Sequence, residues 1–452
     1  MSIQSKLPPR SPRYRSILRL QRFIQNPIPF LEDNFKKYGD TYMFSLRGSK
    51  VNILTTNPDV IKHIFRKNVD NYEKPEVTSS VLSEFVGRGL LLARGEEHTR
   101  QRALMTPSFS PAKIGELVNF MGDEIDTYLH ELDQRITRSA QIDILTEMRY
   151  MTFRVMLKAI YSDDMDDTKI KTFADKFTSL QEFLVKIVRF PMLMPWHKFA
   201  GATKKYKKIA DENNRVIMDI IAKRRNEPSK DDLLGVLMEA KYEDGTGMSD
   251  RKLQEESLVL IVAGHETASD ILSWIFYLMN KHPETIEKIK AEEQACLDGK
   301  DRLTFAELAR MEYLTQVINE CLRLYPPSWI TDRIAKEDDE VAGYFIPKGA
   351  RVMPYIYGIH HSEAHWENPS KFDPSRFSKE KRKELTNFSH IPFGAGPRMC
   401  IGRHFAMTEM KLIILKMIRR YKFELVANQK IEILPLVTLR PKYGIKFNLK
   451  KI

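Results

Sequence analysis

The chain has only three cysteines, Cys296, Cys321 and Cys400. So small and odd a number argues against a disulfide framework and for a reducing compartment, hence a cytoplasmic location. No Cys-x-x-Cys pair and no Cys/His spacing suited to zinc occurs. A glycine-rich nucleotide fingerprint is missing, and so is the four-cysteine pattern of an iron–sulfur protein. Long apolar runs are missing as well. The longest is 258–263, far short of the roughly 20 residues a membrane-spanning helix needs, so no transmembrane segment is expected. Residues 1–31 contain no acid but carry Lys6, Arg10, Arg13, Arg15, Arg19 and Arg22. That composition suits a transit peptide, but Pro8, Pro9, Pro12, Pro27 and Pro29 oppose a long amphipathic targeting helix. Residues 1–25 read instead as a basic surface leader, with a short amphipathic stretch at 17–24 that leaves room for peripheral membrane contact.

Positive charge is present in quantity: the net charge is +12. It suits an acidic protein partner or an anionic membrane surface; the basic residues are spread out and no nucleic-acid motif accompanies them. Patterning predicts a helix at 29–37, strands at 42–46 and 51–54 around the turn 47–49, and a helix from Asn57 to Phe65. Residues 77–92 form an apolar, glycine-punctuated loop. Helical periodicity dominates 110–235 and breaks at 190–196, which reads equally as a substrate-entry lid or membrane-touching segment and as a packed turn. Lys204, Lys205, Lys207 and Lys208 read as a solvated helix face. Short strands are expected within 341–352 and one strand over 434–439. The expected fold class is mainly α with a small β region.

Three stretches carry chemistry. In Phe393-Gly394-Ala395-Gly396-Pro397-Arg398-Met399-Cys400-Ile401-Gly402, a cysteine ends a glycine-containing loop just before an amphipathic helical pattern. A helix N-terminus favours a thiolate over a thiol, and the glycines let a flat object come close. Arg398 can meet an anionic group near the sulfur. Read alone, Cys400 is either such a ligand or a small buried hydrophobe. In the second stretch, a helical pattern from Ser249 to about Asn280 has Ala263-Gly264-His265-Glu266-Thr267 at its centre. A helical glycine costs about 1 kcal/mol relative to alanine, so Gly264 implies close approach to the backbone. Thr267 can bond the Ala263 carbonyl, and a carboxylate at Glu266 needs a partner if buried. In the third, Glu320 and Arg323 share a helical face among Val317, Ile318, Leu322 and Leu324, as do His98 and Arg102 earlier in the chain.

The cysteine loop fits F-x-x-G-x-R-x-C and resembles the haem-ligand loop of cytochrome P-450 monooxygenases. The acid–alcohol pair Glu266-Thr267, the E-x-x-R pair and Arg376 of Phe372-Asp373-Pro374-Ser375-Arg376-Phe377 follow the family's order. Ser375 stands where members often have glutamate; Arg376 is retained. The resemblance covers nearly the whole chain and implies one cytochrome P-450 domain over 1–452. It further implies haem b (iron protoporphyrin IX) with Cys400 as the metal ligand. Phe393, Gly402, Ala263 and Gly264 would lie against the haem, and His98, Arg102, Arg333 and Arg398 would bind its propionates. Thr267 and Glu266 would be catalytic, relaying protons to bound dioxygen; Glu320, Arg323 and Arg376 would be structural.

The implied reaction inserts one atom of dioxygen into a small molecule, with electrons from a ferredoxin- or flavodoxin-type donor and its reductase. The pocket would be lined by Val77, Leu82, Phe85, Val86, Val262, Ala263, Trp329, Ile330, Leu436 and Val437. Nearly all are apolar, which favours a hydrophobic substrate of fatty-acid, carotenoid or terpenoid class. The segment 324–330 is similar to bacterial carotenoid hydroxylases, and the wider chain to the soluble, eukaryote-like bacterial fatty-acid hydroxylases. The rivals are a peroxide-driven peroxygenase, a haem sensor or carrier without turnover, and a helical scaffold with no cofactor. The Glu266-Thr267 pair argues against the first two, and the colour of the pure protein decides the third.

Overall fold

The Asn26 side chain accepts the Ile28 N–H at 3.1 Å and starts the helix Pro27–Tyr38, where Pro27 sits at a position whose N–H has no helical partner. In this computed structural model, residues 6–11, 26–44, 51–75, 83, 85, 87–189, 194–297 and 303–452 are described. The expectations for most of the leader, the turn at 47–49, Val77, Leu82, Val86 and residues 190–193 lie outside them. The chain divides into two units: Met1–Glu76 with Gln316–Cys400 and Ile433–Arg440, and Val77–Thr315 with Ile401–Glu432 and Pro441–Ile452.

The first unit is built on a five-stranded sheet in the order Thr41–Phe44, Asn52–Thr55, Arg351–Pro354, Arg333–Ala335, Tyr72–Glu73. Asn52–Thr55 and Arg351–Pro354 pair in parallel, and the other neighbours pair antiparallel. Glu73 stands opposite Ile334, so the register brings Lys74 alongside Arg333. One apolar cluster holds Ile53, Ile64, Phe65 and Val352; another holds Leu31, Tyr42, Trp329, Tyr355 and Leu439. Of the basic leader, Lys6 and Arg10 make isolated bridges to Tyr344 and Met43. One expectation is refined and one corrected. The helix after Asn57 is α only over Pro58–Lys62 and continues as a π-turn, His63–Lys67. The expected strand over 434–439 is a hairpin, Ile433–Pro435 with Leu439–Pro441, because the Leu436 N–H bonds the Thr438 carbonyl at 3.0 Å and turns the chain back.

The second unit is mostly helical. Ser249 accepts the Lys252 N–H and caps the core helix Asp250–Lys281, which buries Leu258, Ile261, Leu272 and Ile275 and packs on Ile144–Tyr161. A small sheet pairs Lys446–Lys451 with Gln141–Asp143 and Tyr421–Leu425. Among the described residues, Asp250–Lys281 alone is long and apolar enough to cross a membrane, although no unbroken apolar run marks it in the sequence. Of the apolar 18-residue window within it 78% is buried inside the protein, as befits a core helix. Lys204, Lys205, Lys207 and Lys208 are exposed on the helix Ala202–Arg224. The short helix Met194–Phe199 precedes it and leaves Trp196 and Phe199 exposed.

Candidate active site

Cys400 is exposed, whereas Cys321 is buried and its thiol is pushed well above the usual range by burial. The reading of Cys400 as a buried hydrophobe therefore falls. The Cys400 N–H donates to the Phe393 carbonyl at 2.9 Å, and the Met399 N–H to Gly396 at 3.0 Å. Gly394 and Gly396 adopt φ of +71° and +69°, a region that side chains disfavour. A Cβ on Gly396 would stand 1.8 Å from the Phe65 carbonyl oxygen, so this glycine is also demanded by close backbone approach. At Gly394 and Gly402 a Cβ would meet nothing within 4 Å. The helix Arg403–Arg420 starts three residues after the cysteine.

Arg333 in the same unit is 8% exposed, donates to the Asp332 carbonyl at 2.7 Å, and lies over the Phe65 ring. The sequence reading missed its neighbour Lys74. Burial first, then the guanidiniums of Arg398 and Arg333, push the Lys74 ammonium down to about 8. Asp332 partly offsets this but is itself engaged by Arg351 at 2.7 Å. Three gathered cations fit a multiply charged anion such as the carboxylates of haem, and the exposed cysteine beside a helix start fits its iron. No sequence signal pairs Lys74 with Arg333; the short strand Tyr72–Glu73 directly before it does so through its register.

In the helical unit, His98 is buried and Arg102 half-buried on the helix Gly95–Met105. In the core helix, exposure returns at one patch: Ala263 is exposed and Val262, Gly264 and Thr267 are part-exposed between buried turns. Thr267 Oγ1 donates to the Ala263 carbonyl at 2.9 Å, as its spacing predicts. Glu266 is buried, and its Oε2 accepts from Gln181 Nε2 at 2.6 Å; Arg149 Nη2 lies 3.9 Å from Oε1 and 3.8 Å from Asp270. Gln181 and Arg149 come from two other helices and had no sequence signal. The near neighbour that Gly264 accommodates is Met156, whose Cε would be 2.1 Å from a Cβ there. His265, between Phe153 and Phe177, is pushed down to about 4 by burial and is neutral at pH 7.

Glu320 and Arg323 are both fully buried. Arg323 Nε and Nη2 grip the two Glu320 oxygens at 2.7 and 2.8 Å, and Arg376 Nε adds an ion pair at 3.4 Å. Of the expected pocket residues, Phe85 is buried against Phe183 in a cluster that includes Val262. Trp329 is buried in the sheet unit, where its indole N–H holds the Leu436 carbonyl at 2.9 Å; Ile330 is part-buried in the same cluster. Leu436 is part-exposed and Val437 is 53% exposed at the hairpin tip.

A mostly helical fold with a small β region and an exposed cysteine on a glycine loop ahead of a helix defines the class of haem-thiolate proteins. A family model described as Cytochrome P-450 matches residues 6–449, and the chain belongs to that family. It is 28% identical over 404 residues to cytochrome P-450 3A12 of Canis lupus familiaris, covering 86% of this chain and 80% of the relative. It is 29% identical over 429 residues to a cytokinin hydroxylase of Arabidopsis thaliana, covering 92% and 82%. Among solved structures, retinoic acid-bound cyanobacterial CYP120A1 superposes with a TM-score of 0.84 at 25% identity over 99% of this chain and 100% of that one. The chain is thus an oxidoreductase of the monooxygenase class, a family that uses haem-thiolate, needs redox partners and binds hydrophobic substrates.

Proposed function

We propose that this chain binds haem b through Cys400 and hydroxylates a hydrophobic small molecule of fatty-acid, carotenoid or terpenoid class. The observation that carries the reading is the exposed Cys400 at the end of a loop closed by its own N–H. Thiolate-held haem supplies an electron-rich iron that favours O–O cleavage. The chain's own groups do the rest. Lys74, Arg333 and Arg398 of the sheet unit would hold the carboxylates of the haem, the role that the family resemblance also gives His98 and Arg102. Phe393, Gly402, Ala263 and Gly264 would give the haem the close contacts that the family resemblance implies. Thr267 Oγ1 holds a proton at the Ala263 carbonyl and offers its oxygen lone pairs beside it, and Glu266, fixed by Gln181, exchanges protons with it. Glu320, Arg323 and Arg376 support the fold. Phe85, Val262, Ile330, Leu436 and Val437 supply apolar surface, and Val77, Leu82 and Val86 are kept as lining residues from the sequence reading. Trp329 acts through Leu436.

Electrons come from a ferredoxin- or flavodoxin-type carrier with its reductase, and the net charge of +12 suits steering of an acidic carrier. We assign the chain to the cytoplasm, where Cys400 stays reduced. Trp196 and Phe199, exposed next to the lysine-rich face of Ala202–Arg224, support peripheral contact with an anionic membrane. The test is the absorption spectrum of the reduced protein under carbon monoxide, followed by turnover with a reduced carrier. A strongly red-shifted Soret band and oxygenated product are expected; an unshifted band in folded, haem-supplied protein overturns the reading.

Two further outcomes check individual roles. Thr267→Ala is expected to keep haem and substrate binding but to consume several electron pairs per product, read as NAD(P)H oxidised against product formed; unchanged coupling removes Thr267 from the relay. Lys74→Met removes one charged contact, worth about 1.5–3 kcal/mol, so haem loss to an apoglobin acceptor should quicken roughly tenfold or more.

A further inference from the structure

Glu256 belongs to none of the groups assigned above, yet its carboxylate is fully buried on the core helix. Its Oε2 accepts the Leu90 N–H at 2.8 Å. Glycine permits this approach. A Cβ on Gly89 would stand 2.7 Å from Val259 Cγ2 and 2.8 Å from the Glu255 carbonyl oxygen. On Gly87, at φ +73°, it would stand 2.4 Å from Glu255 Cγ. Lys252, 3.7 Å from Glu256 Oε1, donates to the Arg88 carbonyl at 2.8 Å and to Glu97 at 2.9 Å. The backbone of 87–90 therefore lies along Lys252, Glu255, Glu256 and Val259, a helical strip that continues at the same spacing to Val262 and Ala263. Phe85, two residues before Gly87, and Leu92 share the apolar cluster that Val262 packs against.

We propose that Glu256 is a positioning residue: its carboxyl group, as the acceptor of the Leu90 N–H, docks the segment 87–92 onto the core helix and thereby places Phe85 for the hydrophobic substrate. The substrate half rests on the function proposed above; the docking half does not. A buried N–H needs an acceptor, and on this face Glu256 supplies it. The groups that face the carboxylate are Lys252 and Glu255 on its own helix, Glu97 on Gly95–Met105, and Tyr242. Burial raises the carboxyl to about 7, with the Leu90 N–H and Lys252 opposing the rise. A docked value above the solvated one means that protonation favours docking. Docking is then tightest below the ordinary carboxyl range, loosens as pH climbs to about 7, and is level above.

Hydrogen-exchange protection of a peptide covering 87–92 tests this in the haem-loaded full chain. Glu256→Leu and Gly89→Ala should each lower protection about tenfold, whereas Glu256→Gln, which keeps an acceptor, should retain it. Only the wild type should lose protection between pH 5.5 and 8. Unchanged protection in Glu256→Leu, or equal loss in Glu256→Gln, overturns the docking. Binding of 4-phenylimidazole, read as a Soret shift, should weaken in the two undocked variants with the peptides of 250–281 still protected. Lost protection with unchanged 4-phenylimidazole affinity overturns the placement of Phe85 while leaving the docking intact. Absence of any thiolate-type spectrum strikes the function proposed above and leaves the exchange result standing.

Discussion

Cys400→Ser should yield a folded protein without the red-shifted carbon monoxide band and without monooxygenase turnover. Loss of an outer-shell group in a metal site costs roughly 10–100-fold, and removal of the ligating atom itself should exceed that. The loop is built to survive the exchange. Its closing bond runs from the Cys400 N–H to Phe393, and its turns rest on Gly394 and Gly396, backbone features that a serine at 400 retains. A serine hydroxyl stays protonated where a cysteine near a helix start ionises readily. Cys321→Ser and Cys296→Ser serve as controls, because the Cys321 thiol is held neutral by burial and Cys296 lies outside the loop. A normal band in Cys400→Ser, or its loss in Cys296→Ser, would reassign the ligand.

The parts of this site that were legible in the sequence are those that act within one or two turns of their own segment. Cys400 is set by its loop, Thr267 bonds the carbonyl four residues back, and Glu320 meets Arg323 three residues on. Periodicity and glycine placement encode such contacts directly. The groups that hold these residues come from elsewhere. Gln181 reaches Glu266 across 85 positions, and Leu90 reaches Glu256 across 166. Lys74 meets Arg333 only because the register puts Glu73 opposite Ile334. A helical face shows that it is buried, not what covers it. For the same reason the 434–439 stretch read as one strand: its turn is made by one backbone bond, Leu436 to Thr438, in a run with neither glycine nor a turn-forming pair at its bend. The α-to-π change at His63–Lys67 likewise alters no side-chain pattern.

Arg323→Ala should be the most destabilising single change in the sheet unit. Removing one partner of a buried pair costs about 3–5 kcal/mol because the other charge is left behind. Here the loss is wider. Arg323 also donates to the carbonyls of His360 at 2.8 Å and Pro369 at 2.7 Å, and its guanidinium lies 5.1 Å from the Trp366 ring centre. It therefore ties the helix Glu312–Leu324 to two later segments at once. Glu320, with its carboxyl raised by burial and held down chiefly by Arg323, would take up a proton in the variant. Arg323→Lys should recover little, since a lysine cannot grip both Glu320 oxygens and two carbonyls together. A loss of this size is a large share of the 5–15 kcal/mol typical of a folded protein, so poor haem incorporation should accompany the fall in the denaturant midpoint. Ser375→Glu should do little by comparison. Ser375 bonds Asp373 and Lys381 at the surface, while the triad receives the Asp373 N–H and the Arg376 guanidinium from this stretch. If Arg323→Ala unfolds at the wild-type denaturant concentration, the triad is ornamental and the haem loop must be supported from another part of its unit.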